Sequence, residues 1–251
     1  MAAAYDTYDY PSYWEGREYE HLAEILAIKA FLKKIPKIKV ILDVGAGFGR
    51  LSQSYIYRAK KIILSDPSAR LLKIARRSLK NENVRFIQSR LENLPEKIKS
   101  SKVDLIILVR VLHHMENPDN AFSVVYKLLC DKGYLILEYP NKEHWKASII
   151  EILKGNFTFP LDIFPKDIRS EKSKRKGTLP FINYHPDIIK EKLESHGFKI
   201  VETRSVSNIR SPFIKKIFST QTLLFIEKYL QKPFSNINFG PSIFILAQKR
   251  G

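Results

Sequence analysis

The sequence predicts an α/β protein built on a mostly parallel, helix-covered sheet, and three observations predict it. Short apolar runs alternate with amphipathic segments at about 20 to 25 residues per unit, the rhythm of strand–helix–strand crossovers. The run VDLIILV (103–109) is almost wholly apolar, as a strand covered on both faces must be. KVILDV (39–44) passes directly into GAGFGR, a glycine-rich turn between a buried strand and a helix.

Each element follows in order. Residues 5–20 are crowded with Tyr, Asp and Glu, and Leu22, Ile25, Leu26, Ile28 and Leu32 then recur at helical spacing before Pro36. Residues 1–36 therefore read as a cap segment and a helix, and 37–251 as one domain. Behind the first strand, LSQSYIYRA reads as a helix, KIILSD (61–66) as the second strand and ARLLKIARRSLK as the second helix. VRFIQS and VDLIILV are strands three and four. A helix from Asp119 to Leu129 leads through Asp131, Lys132 and Gly133 to YLILEY, the fifth strand. After Pro140 the rhythm breaks: residues 141–180 mix Trp145, Ile149, Ile150, Ile152 and Leu153 with a Pro-, Lys- and Arg-rich stretch, an insertion between two sheet elements. A helix from Pro186 to Ser195 stops at Gly197. FKIVETRSV, an amphipathic lid helix at 212–231 and PSIFILAQK complete the chain.

Composition narrows the function classes. Hydrophobic residues make up 44%, which excludes disordered and fibrous chains. No apolar run approaches the roughly 20 residues that span a bilayer, and the first residues do not have the pattern of a signal peptide. The single cysteine, Cys130, excludes an internal disulfide and a multi-cysteine metal site; it reads as a buried structural thiol, no metal is expected, and the expected compartment is the cytoplasm. The net charge of +17, from 43 Lys and Arg against 26 Asp and Glu, would attract nucleic acid, anionic lipid or an acidic substrate. Its one dense cluster, residues 166–176, is interrupted by Asp167 and Glu171 and reads as a solvated loop.

The most specific feature is VILDVGAGFGRL (40–51). The strand delivers Asp43, and Gly45, Ala46, Gly47 and Gly49 turn the chain where a ligand must approach the backbone. The dinucleotide fingerprint places its third glycine one residue later, which opposes a nicotinamide dehydrogenase. Asp66, 17 residues beyond Gly49 and followed by Pro67, ends the second strand beside that turn, where a carboxylate can accept from both ribose hydroxyls.

These residues resemble the class I S-adenosylmethionine-dependent methyltransferases, particularly the methyltransferase type 11 group. LDVGAGFGR, LSDPS, VRFIQSRLENLP, VDLIILVRVLHHMENP and KLLCDKGYLILEYPN carry the likeness over residues 39–141, with weaker similarity in YHPDIIKEKLESHGFKIVE. The resemblance implies a Rossmann-like sheet of seven strands in the order 3-2-1-4-5-7-6, the last antiparallel. It implies S-adenosyl-L-methionine as cofactor, with Asp43 and the glycine turn toward the methionine part, Asp66 on the ribose, and the residues after strand three beside adenine. Many members carry Gly-Asp there. Here Ser89 and Arg90 stand instead, and Arg90 cannot accept a hydrogen bond, so Ser89, Glu92 or a backbone carbonyl must do so. Arg90 and Leu91 are therefore positional candidates. Val109 and Arg110, ending strand four, offer carbonyls to the ligand's ammonium group. Tyr13 and Trp14 can close over the ligand, and Arg17 can pair with its carboxylate.

Methyl transfer needs alignment above all, and a base only where the acceptor must lose a proton. His113 and His114 follow strand four; Tyr184 and His185 precede a late helix; Glu138 and Tyr139 end strand five. These are the candidates for acceptor chemistry, with a satisfied polar residue the alternative for each. No Asn/Asp-Pro-Pro-Tyr/Phe motif follows strand four, and no cysteine stands where a pyrimidine carbon-5 methylase needs one. Lys215, Lys216, Lys228 and Lys232 flank the apolar residues of 212–231, which suits peripheral contact with a membrane and an apolar or lipid-linked acceptor. The expectation is O- or C-methylation of a small molecule. RNA methylation, supported by charge alone, and a non-catalytic binding module are the rivals.

Overall fold

Val40–Val44 (β1), Lys61–Asp66 (β2), Val84–Gln88 (β3), Val103–Leu108 (β4) and Leu129–Pro140 (β5) pair in parallel in a computed structural model of the chain. The structure describes residues 6, 9–79, 83–98, 102–115, 117–176 and 178–251. The start of the expected cap segment (1–5, 7 and 8) and Lys80 of the expected second helix lie outside the described residues. Lys166–Asp167 (β6) and Ile182–Asn183 (β7) form a separate ribbon, while Phe198–Val206 (β8) and Ser242–Lys249 (β9) finish the main sheet. β9 runs antiparallel to both β5 and β8, and the order is β3-β2-β1-β4-β5-β9-β8. With the two ribbon strands left out of the count, this is the expected 3-2-1-4-5-7-6.

Side-chain alternation along the central strands gives the sheet two cores. Leu42, Ile106 and Leu135 face one layer, containing α4 (Pro118–Leu128) and α7 (Pro186–Ser195). Ile41, Ile107 and Phe244 face the other, covered by α1 (Glu18–Leu32). Both faces are covered, so β1 and β4 are apolar along their length apart from Asp43 and Asp104. α2 (Ala69–Ser78) and the short α3 (Leu94–Lys97) follow β2 and β3.

Several expectations need correction. LSQSYIYRA forms two single turns, Ser52–Ser54 and Ile56–Arg58, instead of an α-helix. The hydroxyls of Ser52 and Ser54 donate to the carbonyls of Gly49 and Leu51, three residues back, and hold a tighter turn. In α1 the fully buried face is Ala23, Glu24, Ala27, Ile28 and Phe31, with Leu22, Ile25 and Leu26 half-buried. Cys130 is half-buried at the start of β5, its thiol 3.7 Å from Asp104 Oδ1.

The insertion holds α5 (Trp145–Leu153), α6 (Glu171–Arg175) and β6, whose ribbon partner β7 lies just beyond it. The basic cluster at 166–176 is solvent-facing, as expected, but partly helical, with Ser170 capping α6. The helix expected at 212–231 is two: α8 (Pro212–Ile217) and α9 (Thr220–Ser235), broken where Phe218 is extended and Ser219 accepts from the backbone of Thr222. α9 packs on the body of the domain. Buried Glu227 accepts from the Tyr19 hydroxyl of α1 (2.6 Å) and the backbones of Ser207 and Asn208, which fixes α9 on α1 and β8.

Candidate active site

The carboxyl ends of β1, β2 and β4 frame a cavity of about 190 Å³. Gly45 and Gly47 form its floor, and both need left-handed backbone, at φ 70° and 56°. A Cβ on Gly45 would lie 2.3 Å from Val111 Cγ2, whereas one on Gly47 would meet nothing closer than 3.7 Å within the protein. Gly45 is thus required by packing, and Gly47 by its backbone angle and by close approach from the cavity side.

Asp66 ties this turn to β2. Its carboxylate accepts from the Gly47 amide (2.9 Å) and the Ser68 amide (2.8 Å), and Ser68 caps α2. Each oxygen retains a second lone pair for a ligand. Burial pushes the Asp66 carboxyl up to about 6, against the pull of those two amides. Asp43 lies behind the turn, outside the cavity lining. Burial raises it to about 7, although the Tyr55 hydroxyl donates to it. Ala46, Gly49 and Val109 also stand behind the lining, while Pro67, Ser89, Arg90, Leu91 and Glu92 form one wall.

Arg110 lies in the left-handed region (φ 59°), and its amide donates to Glu138 Oε2 at 2.7 Å. Its guanidinium contacts Glu24 Oε1 at 2.6 Å, and the other oxygen of Glu24 takes Arg50 at 2.5 Å. Burial alone would raise the Glu24 carboxyl; the two guanidiniums hold it below its ordinary value. The Trp14 ring lies 3.4 Å from the Arg50 guanidinium carbon and 4.6 Å from that of Arg110.

Arg110 also lines a second cavity, of about 270 Å³. Tyr13, Trp14 and Arg17 lie in this one, with Glu138, His144, Phe181, Asn183 and Arg210; among the described residues of the cap, Tyr10 reaches the first. The cap residues expected over the cofactor therefore line the neighbouring space.

His114 lines the first cavity. Its Nδ1 lies 2.8 Å from the Pro180 carbonyl, so the proton resides there and Nε2 carries the lone pair of the neutral ring. Burial lowers its pKa. His113 is buried behind it, with ring centroids 3.9 Å from His114 and 4.5 Å from Phe181; burial drives its pKa well down. Tyr184 and His185 stand outside both linings. The Tyr184 hydroxyl donates to the Met115 carbonyl, and His185 Nδ1 accepts from the Asp187 amide to cap α7, so both brace the loop after β4 and the insertion. Tyr139 is fully buried. Among the described residues no cluster of three His, Cys, Asp or Glu could hold a metal ion.

Sequence reasoning missed Tyr10, Glu24, Arg50, His144 and Arg210. Only Glu24 left a signal, a carboxylate between Ala23 and Ala27 on a helix.

The donor set fits S-adenosylmethionine. The buried Asp66 carboxylate has the lone pairs that two ribose hydroxyls would need, and Leu71, Leu91 and Met115 are apolar faces suited to a purine.

A family model described as a methyltransferase domain matches residues 36–199. The chain is 25% identical over 166 residues to the tRNA 5-carboxymethoxyuridine methyltransferase of Escherichia coli (strain K12), covering 64% of this chain and 60% of that protein's length. It is 23% identical over 190 residues to the ubiquinone biosynthesis O-methyltransferase of Coxiella burnetii, covering 74% and 75%. The magnesium protoporphyrin IX methyltransferase of Synechocystis, solved with bound S-adenosylhomocysteine, shares the fold at a TM-score of 0.60 and 15% identity, over 98% of this chain and 95% of that one. With two thirds of the chain inside the family model and the glycine turn, Asp66 and sheet order in place, this chain belongs to the class I S-adenosylmethionine-dependent methyltransferases.

Proposed function

We propose that this methyltransferase methylates an oxygen or carbon atom of a small acceptor seated in the second cavity. The carrying observation is that the two cavities meet at Arg110, so a ligand on the glycine turn and an acceptor beside Arg17 and Arg210 lie next to each other. S-adenosylmethionine supplies an electrophilic methyl group on its sulfonium; the chain supplies alignment, dryness and a proton acceptor.

In this reading Asp66 takes the ribose hydroxyls, and Ser89 or Glu92 the adenine amino group. The carbonyl of Arg110 takes the ammonium group. Trp14 and Tyr13 exclude water from the junction. His114, which lines the first cavity, accepts the proton of an acceptor atom that reaches past Arg110 toward the methyl group, and His113 packs against it. Arg17, in the second cavity, faces the acceptor rather than the methionine carboxylate.

RNA is the second reading, favoured by the +17 charge and by the tRNA-modifying relative. The test supplies radiolabelled S-adenosylmethionine with separate lipid, small-molecule and RNA extracts. Label in the lipid or small-molecule fraction supports the first reading. Label entering only RNA, and lost when Lys172, Lys174, Arg175 and Lys176 are neutralised together, overturns it.

A further inference from the structure

Two segments expose far more apolar side chain than a solvated surface requires. In the insertion, Leu153 is 81% exposed, Leu161 78%, and Phe157 and Phe164 74% each. In α8 and α9, Phe213 is 71% exposed, with Ile217, Phe225 and Tyr229 also outside. A patch of this kind marks an interaction surface.

Both segments are rooted at the rim of the second cavity. His144, immediately before α5, and Arg210, just before α8, line it together, and their charges interact. Ile168 lines the cavity and is itself half exposed. Trp145 stacks on Phe239 just beyond α9, closing the ring of contacts.

The charges select the partner. From Thr203 to Gly251 the sequence has eight Lys and Arg and one acid, Glu227, which is fully buried. In the insertion, Glu151 pairs with Lys154, Asp162 with Lys142 and Asp167 with Arg169. Lys216, Lys228 and Lys232 are exposed among the apolar residues. Protein–protein interfaces are depleted in lysine, whereas elements lying in a lipid headgroup region combine lysine with Phe and Leu.

We propose that these segments form a collar that docks on an anionic bilayer, with the second cavity opening toward it, so that the acceptor is drawn from the lipid phase. The acceptor part of this inference rests on the reading of the second cavity given above; the docking part does not.

The test is co-sedimentation of the whole protein with phosphatidylcholine vesicles and with mixed phosphatidylcholine–phosphatidylglycerol vesicles. Binding should be confined largely to the mixed vesicles and should weaken with salt. Lys216→Gln, Lys228→Gln and Lys232→Gln together should reduce partitioning at least about tenfold at low salt. Leu153→Ser, Phe157→Ser, Phe164→Ser and Phe213→Ser together should abolish it. These side chains are all outside, so the stabilisation of each variant by S-adenosylhomocysteine should equal that of wild type. Wild-type protein that binds S-adenosylhomocysteine but no mixed vesicles overturns the docking proposal and leaves the methyltransferase reading standing. So does a serine variant that still sediments. A dimer or a stoichiometric protein complex that the serine substitutions dissolve, without vesicle binding, assigns the collar to a protein partner instead. Vesicle binding without any methyl acceptor in the lipid extract supports docking and removes the lipid-phase acceptor.

Discussion

Asp66→Ala separates ligand binding from folding, because its effects on stability oppose each other and its effects on affinity do not. The carboxyl of Asp66 is raised from 3.8 to about 6 by burial. A carboxylate with a raised folded-state pKa contributes stability below its unfolded value, and that contribution disappears as pH rises through about 6. At neutral pH, keeping the charge therefore costs the fold about 3 kcal/mol. Removing it relieves that cost but leaves the Gly47 and Ser68 amides without their acceptor, at about 1 to 3 kcal/mol each. The two terms are similar in size, so the melting temperature of the ligand-free variant should stay within a few degrees of wild type. Affinity has no such offset. Two charge-assisted hydrogen bonds to the ribose are lost, at about 1.5 to 3 kcal/mol each, and the glycine turn loses its anchor. Titration calorimetry with S-adenosylhomocysteine should show a loss of at least about tenfold. Asp66→Asn, which keeps one acceptor oxygen, should fall between. Unchanged affinity in a folded Asp66→Ala protein would refute the assignment of the ribose to this residue.

Other outcomes follow from neighbouring residues. Gly47→Ala should fold and lose ligand affinity, whereas Gly45→Ala should lose stability first, since its Cβ would overlap Val111; thermal melts with and without S-adenosylhomocysteine distinguish them, and equal behaviour contradicts the split. Glu24→Gln should destabilise by about 3 to 5 kcal/mol by leaving two guanidiniums without their anion. Because the Glu24 carboxyl is held below its ordinary 4.5, its contribution is present above that pH and is lost as pH falls through the lowered folded-state value. Denaturant melts should show the gap to wild type closing only in acid. His114→Ala should lower kcat by about 10² to 10⁴ while changing S-adenosylhomocysteine affinity far less. Burial lowers the His114 pKa, so wild-type kcat should hold its plateau below pH 6.5; an unaltered kcat in the variant removes His114 from proton transfer.

The sheet was legible because its signal is local. β1, β2, β4 and β5 each carry a dense apolar stretch of the VIL, IIL, LIIL or LIL kind, and the glycine turn marks where the ligand edge lies. Asp66 could be placed beside that turn because parallel neighbours set its position from strand ends alone. Ser52 and Ser54 defeated the helix reading because side-chain bonds to nearby carbonyls leave no trace in hydrophobic periodicity. The clamp of Glu24 on Arg50 and Arg110 was not legible, because it joins residues 26 and 86 positions apart and depends on how α1 crosses the sheet. The placement of Tyr184 and His185 outside both cavity linings was not legible for a related reason. A polar residue ahead of a helix looks the same in sequence whether it faces a pocket or caps the helix, and here both are occupied by backbone partners.

The crossing of α1 also constrains how this chain could be recombined with its relatives. The family likeness begins at residue 36, just after α1 ends, which makes that junction look like a natural breakpoint for chimeras. Yet the anion neutralising Arg50 and Arg110 lies upstream of it, and so does the Tyr19 hydroxyl held by Glu227 of α9. A helix donated by another methyltransferase would import its own charges and strand two buried cations in the recipient. Exchange across this junction should therefore succeed only when positions 24, 50 and 110 travel together. In this chain the helix and the sheet form one unit of inheritance, whatever boundary sequence similarity draws between them.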